Sequence, residues 1–175
     1  MGEMDLESRL RVIPDYPKPG ISFKDITPLL RDGAAFKRAV RLMAAECSKR
    51  ECDLIVAPEA RGFILGAAIA YELGVGFIPV RKRGKLPWEC LQGEYKLEYG
   101  TDVLEMHVDA ICRGQRVIVV DDVLATGGTI SATLDMVEKA GGVVTAVAFL
   151  IELCYLPGRA NLRKYDVISI IKLES

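Results

Sequence analysis

Histidine is almost missing from this chain: His107 is the only one in 175 residues. That leaves little for a Ser-His or Cys-His catalytic system, or for a His-rich zinc site. The five cysteines, Cys47, Cys52, Cys90, Cys112 and Cys154, are an odd number without paired metal-ligand spacing. They read as free thiols of a cytoplasmic protein. No apolar run can cross a bilayer. No uncharged stretch is longer than residues 140–151, which Gly141, Gly142 and Thr145 interrupt, whereas a span needs about 20 apolar residues. The opening Met1-Gly2-Glu3-Met4-Asp5 has no basic-then-apolar signal pattern, and Leu6 stands where a myristoylation motif needs Ser or Thr. A surplus of charge is missing too. Lys plus Arg is 23, Asp plus Glu is 24, and the net charge is −1. A general nucleic-acid binder usually carries a basic excess, so neither nucleic acid nor membrane is expected as a partner.

What is present is a globular composition, 50% hydrophobic and 27% charged, in a length that suits one domain of roughly 150 residues. Residues 13–20 hold three prolines and a glycine and predict an extended arm rather than a helix. The first helix is expected after Asp32, a good N-cap, with Phe36, Val40, Met43 and Cys47 at helical spacing. Two similar units follow. Residues 54–57 predict a buried strand, 63–73 a helix stopped by Gly74, and 77–80 a second strand. Residues 116–120 predict a strand, 121–129 a loop, 130–140 a helix ended by Gly141-Gly142, and 143–150 the next strand. Continuously apolar strands alternating with helices imply an α/β fold with a mostly parallel sheet flanked by helices. Between the units, Leu104, Met106 and Val108 alternate with Glu105, His107 and Asp109, the pattern of a half-exposed strand. Residues 94–99 are expected to pair with it across Gly100-Thr101-Asp102. Residues 82–93 have no period and read as a long loop.

The most informative segment runs from Val117 to Thr129, VIVVDDVLATGGT. Asp121 and Asp122 follow a buried strand, at the end where open α/β sheets bind ligands. Ala125, Thr126, Gly127, Gly128 and Thr129 then lead into a helix. Backbone N–H groups there can surround a phosphate, aided by the helix dipole. The loop favours an anion and the acids repel one. A sugar phosphate satisfies both halves, with its phosphate in the loop and its diol on the carboxylates. No Lys follows the glycines, so this is not a Walker A loop, and it is not GxGxxG. A surface turn with a helix start is the plain alternative.

This segment resembles the phosphoribosyl-diphosphate motif of the type I phosphoribosyltransferases. The resemblance extends from about Ile13 to Leu153 through five ordered motifs. It implies one domain over 1–175, with an N-terminal hood at about 13–30, a core at about 32–153 and a flexible lid loop at about 82–99. Asp121 and Asp122 would hold the ribose hydroxyls, and Ala125–Thr129 the 5′-phosphate. Pro58-Glu59-Ala60-Arg61-Gly62-Phe63 is similar to the diphosphate loop of the adenine-specific members and assigns Arg61. Arg81-Lys82-Arg83-Gly84-Lys85-Leu86-Pro87, four cations in five residues, is a solvated face or a nucleic-acid patch on its own. Beside a sugar-phosphate site it reads as a diphosphate clamp of Arg81, Lys82 and Lys85. Leu97-Glu98-Tyr99-Gly100 matches the adenine-specific pattern and makes Glu98 the catalytic residue acting on the purine. The arm around Ser22, Phe23 and Lys24 resembles the base-binding hood. Ser22 departs from the branched apolar residue usual there, and Lys24 from Arg. The implied reaction joins adenine and phosphoribosyl diphosphate, with Mg²⁺, to give AMP and diphosphate. A homodimer is implied. Transfer to another purine, or silent sensing of phosphoribosyl diphosphate by a regulator, are the alternatives. The neutral charge and Glu98 count against the sensor.

Overall fold

The computed structural model describes residues 5–97 and 100–175. Strand β1 (Arg11–Ile13) pairs antiparallel with β2 (Phe23–Asp25), so the proline-rich stretch is the loop of a small separate hairpin. A five-residue helix, α1 (Thr27–Arg31), precedes the helix expected first. Its signals are chemical rather than periodic. Pro28 suits the first turn, and Asp25 accepts hydrogen bonds from the Thr27 N–H (2.9 Å) and hydroxyl (2.8 Å). Helix α2 (Gly33–Cys47) then starts where expected. Asp32 caps it by accepting from the N–H groups of Ala34 (3.0 Å) and Ala35 (3.2 Å).

The main body is one seven-stranded sheet. Strand β3 (Leu54–Pro58), helix α3 (Arg61–Leu73) and strand β4 (Gly76–Lys82) form the first unit. Strands β5 (Cys90–Leu97) and β6 (Gly100–His107) form an antiparallel pair. Strand β7 (Arg116–Leu124), helix α4 (Gly128–Lys139) and strand β8 (Val143–Leu153) form the second unit. A short helix, α5 (Gly158–Asn161), and strand β9 (Val167–Leu173) complete the sheet. The order is β5-β6-β4-β3-β7-β8-β9, with β4, β3, β7, β8 and β9 parallel. The central strands are buried on both faces. Ile118 and Val120 of β7 pack with Met43, Leu65 and Ile69 on one side. Val117 and Val119 pack with Ile130, Leu134 and Val137 on the other. This explains why these strands are apolar throughout rather than alternating.

The chain leaves the sheet centre in two directions. From β3 it crosses to β4, and from β7 it crosses to β8 on the other side. The crevice at the carboxyl ends of β3 and β7 is the switch point at which such sheets bind ligands.

Three expectations need correction. The long loop over 82–93 ends at Glu89, because β5 already begins at Cys90. Its pairing runs from Cys90 opposite His107 to Leu97 opposite Gly100, so Gly100, Thr101 and Asp102 belong to β6 rather than to a turn. Gly93 interrupts the strand signal in sequence, yet it lies against the Ala132 carbonyl and Met136 of α4. Next, β6 is not half-exposed at Glu105. That residue is buried, accepting from the Gly84 N–H (2.8 Å) and the Gln92 amide (3.0 Å). His107 is half-buried rather than exposed, with its Nε2 shielded from solvent. Finally, β7 continues through both acids to Leu124, with Asp121 opposite Phe149 and Val123 opposite Ile151. The acids break the apolar run but not the hydrogen-bonded ladder.

Candidate active site

The acids and the glycine loop meet at the carboxyl end of β7. Asp122 is buried, and its N–H donates to Asp121 Oδ1 at 2.9 Å. Gly62 of α3 lies directly beside the same Asp121 oxygen. Burial, followed by the charge of Asp122, pushes the Asp121 carboxyl well above the usual carboxylate range.

After Leu124 the chain passes through Ala125 and Thr126 to Gly127, whose φ of 84° is left-handed and favours glycine. Helix α4 starts at Gly128 with no side chain capping it. Its first N–H groups lack intrahelical partners by construction, so they suit an anion. Behind the loop lies a support from the chain's far end. The Gly158 N–H donates to the Ala125 carbonyl (3.0 Å), and the Asn161 amide donates to the Thr126 carbonyl (2.9 Å). A Cβ on Gly158 would overlap the Ala125 oxygen.

Arg61 opens α3 on the other side of the crevice. Its Nε pairs with Asp122 Oδ2, crossing from the β3 unit to the β7 unit. The same guanidinium lies 5.4 Å from the centroid of the Phe23 ring, a cation–π contact. Phe23 in turn meets Tyr16 edge to face at 5.2 Å. Lys24 beside it is buried, and its ammonium donates to Ser22 Oγ at 3.1 Å. The arm, the start of α3 and the acids are thus one contiguous surface.

The basic segment lies at the end of β4. Arg81 Nε donates to Glu59 Oε2 at 3.0 Å, and Lys85 Nζ lies 3.2 Å from Glu59 Oε1. Lys82 Nζ lies 3.2 Å from Asp102 Oδ2, which also accepts from the Tyr95 hydroxyl at 3.0 Å. Burial works to raise the Glu59 carboxyl, but the donors from Arg81, Lys82 and Lys85 outweigh it and hold the group lowered. Burial, then the Asp102 carboxylate, pushes the Tyr95 phenol up to about 12.

Residues 29–174 match the family described as the phosphoribosyl transferase domain. An adenine phosphoribosyltransferase of Thermoanaerobacter sp. is 58% identical over 168 residues, 96% of this chain and 97% of that protein. The crystal structure of the enzyme from Thermoanaerobacter pseudethanolicus is similar with a TM-score of 0.94 at 57% identity, covering 96% of this chain and 98% of that one. The Saccharomyces cerevisiae enzyme, crystallised with adenine and an imino-altritol bisphosphate, has a TM-score of 0.88 at 40% identity, covering 94% and 96%. The chain belongs to the adenine phosphoribosyltransferase family. It is an enzyme of the type I fold, as its residues 117–129 imply.

In this phosphoribosyltransferase the sequence-predicted residues gather in two places. Arg61, Asp121, Asp122 and Phe23 meet at the crevice between β3 and β7. Arg81, Lys82 and Lys85 lie one strand further out. Arg61, expected on the diphosphate, is turned onto Asp122 here. Glu98 lies outside the described residues. Five supporting residues escape sequence reading: Glu59, Asp102, Tyr95, Gly158 and Asn161. Of these only Glu59 carries a usable signal, an acid one residue beyond a parallel strand.

Proposed function

We propose that this enzyme transfers the 5-phosphoribosyl group from phosphoribosyl diphosphate to adenine, releasing AMP and diphosphate, a purine-salvage reaction. The position of Arg61 carries the reading. One guanidinium touches both the ribose-side acid Asp122 and the hood ring of Phe23. A base against Phe23 and a ribose on the acids are therefore neighbours, as forming an N-glycosidic bond requires.

Each group has a task. Asp121 and Asp122 accept hydrogen bonds from the ribose diol. Ala125, Thr126, Gly127, Gly128 and Thr129 take the 5′-phosphate on backbone N–H groups and hydroxyls. Arg61, Arg81, Lys82 and Lys85 stabilise charge growing on the leaving diphosphate. Phe23 stacks on the base, while groups around Ser22 and Lys24 read its edge. Glu98 manages the purine proton as adenine attacks. Of the expected lid over 82–99, the loop before β5, residues 83–89, closes over the site and keeps water from the oxocarbenium-like centre.

Mg²⁺ fits the donor set. Among the described residues no three His, Cys, Asp or Glu side chains form a metal group. The oxygen-only pair Asp121 and Asp122 suits a hard cation ligated mainly by diphosphate, ribose hydroxyls and water. Bound there, it would neutralise diphosphate charge. The reading also includes a cytoplasmic homodimer. The odd number and unpaired spacing of the five cysteines favour the compartment. No helix among the described residues is long and apolar enough to cross a membrane.

The test incubates the full chain with phosphoribosyl diphosphate, Mg²⁺ and labelled adenine, hypoxanthine or guanine. AMP is the expected product, and chelating the metal should stop its formation. No AMP from adenine sinks the reading. Glu98→Gln should lower kcat by about 10²–10⁴-fold while phosphoribosyl-diphosphate binding, measured by calorimetry, survives. Sedimentation velocity checks the dimer.

A further inference from the structure

The segment from Arg81 to Lys85 is the most densely basic in the chain, yet it does not stand loose in solvent. Register explains why. Pro58 of β3 pairs with Val80 of β4, so the next residue, Glu59, comes level with Arg81. Its N–H donates to the Val80 carbonyl at 2.9 Å, which continues the ladder by one step. The Glu59 side chain is 9% exposed and collects three donors from this segment: Arg81 Nε, the Lys82 backbone N–H (3.2 Å) and Lys85 Nζ. From the opposite neighbour, β6, buried Glu105 accepts from the Gly84 N–H. Arg81 Nη1 donates to the Lys85 carbonyl at 3.4 Å and closes the turn. Glu105 on β6 and Glu59 just past β3, from the two strands that flank β4, therefore pin one basic turn from both sides.

We propose that Glu59 is a positioning residue: it holds Arg81 and Lys85 in the turn so that both cations meet the diphosphate of the substrate already ordered. The inference rests on the reading of Arg81 and Lys85 as diphosphate ligands. Glu59 touches no reacting atom. Its two bound side chains, half-exposed to exposed at the tip, carry large rotamer freedom, and ordering them at the moment of binding would cost affinity. Against this stands its negative charge, which lowers the attraction of the turn for an anion. Arg81 Nε, the Lys82 N–H and Lys85 Nζ already compensate that charge, which weakens its repulsion of a diphosphate on the exposed side of the turn, so ordering prevails. The two effects have opposite signs, and this makes the idea easy to overturn.

The experiment compares the full-length wild-type enzyme with Glu59→Gln and Glu59→Asp. Diphosphate binding is measured by calorimetry, without turnover, and KM for phosphoribosyl diphosphate and for adenine is measured separately. Glu59→Gln should weaken diphosphate binding and raise KM for phosphoribosyl diphosphate about tenfold, with adenine KM nearly unchanged. Glu59→Asp should recover part of the loss. A double-mutant cycle with Lys85→Met should be non-additive. Unchanged or tighter diphosphate binding in Glu59→Gln overturns the proposal, as does full additivity with Lys85→Met. If Glu59→Gln does not fold, Glu59→Asp decides alone: a selective loss of diphosphate affinity supports the role, and none overturns it. Failure of the parent reading looks different, since wild-type enzyme would then neither bind diphosphate nor make AMP.

Discussion

Helices α2 and α4 both start near aspartates and treat them in opposite ways. At α2, Asp32 folds back and accepts from the first-turn N–H groups of Ala34 and Ala35. At α4, Asp121 and Asp122 stand shortly upstream, yet neither they nor any other side chain caps the helix. Helix α3, which opens with Arg61, is likewise uncapped. Among the three helices longer than ten residues, the capped one begins at the base of the arm, while the two uncapped ones begin at the crevice between β3 and β7. The long helix that serves only the fold satisfies its own first turn. One that serves a ligand keeps those donors available, and this small loss of stability becomes binding energy when an anion arrives.

The comparison can be broken directly by giving α4 the cap it lacks. Gly127→Asp should strain the left-handed residue, fill the first turn and set a carboxylate against the 5′-phosphate. KM for phosphoribosyl diphosphate should rise roughly 10–100-fold, from about 1–2 kcal/mol of backbone cost plus charge repulsion. An unchanged KM would mean that the phosphate does not use this helix start. A smaller effect is expected for Asp121→Asn. Burial and the Asp122 charge hold the Asp121 carboxyl above its usual range, so the folded chain keeps that proton more tightly than the unfolded chain. Stability is therefore fullest below about pH 4 and declines as pH rises through the higher folded value. Removing the charge should raise Tm at pH 7 by a few degrees while kcat/KM for phosphoribosyl diphosphate drops about tenfold. A lower Tm at pH 7 would contradict the raised carboxyl. Smallest of all, and purely structural, Asp32→Ala should cost about 1 kcal/mol, or roughly 2–4 °C in Tm, and leave both KM values alone. A shift in either KM would tie α2 to the site and spoil the contrast.

Local chemistry was legible in the sequence, and register was not. Asp121, Asp122 and the loop to Thr129 could be read because their meaning lies in adjacency: an apolar strand, two acids, small residues, a helix. The parallel core followed from uninterrupted apolar strands. Arg61 is legible as a site residue, but its partner Asp122 is 61 residues away and depends on β3 lying beside β7. Glu59 is hidden for the same reason, since its bonds to Arg81 and Lys85 exist only because Pro58 is level with Val80. Glu105 looked like an outward residue of an alternating strand. Its burial comes from Gly84 and Gln92, which no periodicity encodes. In β5, Gly93 hid a strand by meeting a packing need of α4.

The contacts from Gly158 and Asn161 have a directional consequence. A trans peptide unit is planar, with its C=O and N–H pointing opposite ways. The Ala125 carbonyl shares a plane with the Thr126 N–H, and the Thr126 carbonyl with the Gly127 N–H. By drawing both carbonyls backward, the tail turns those two amides forward, like levers pulled at one end. The aim of the phosphate loop is thus set by residues more than thirty positions downstream of it.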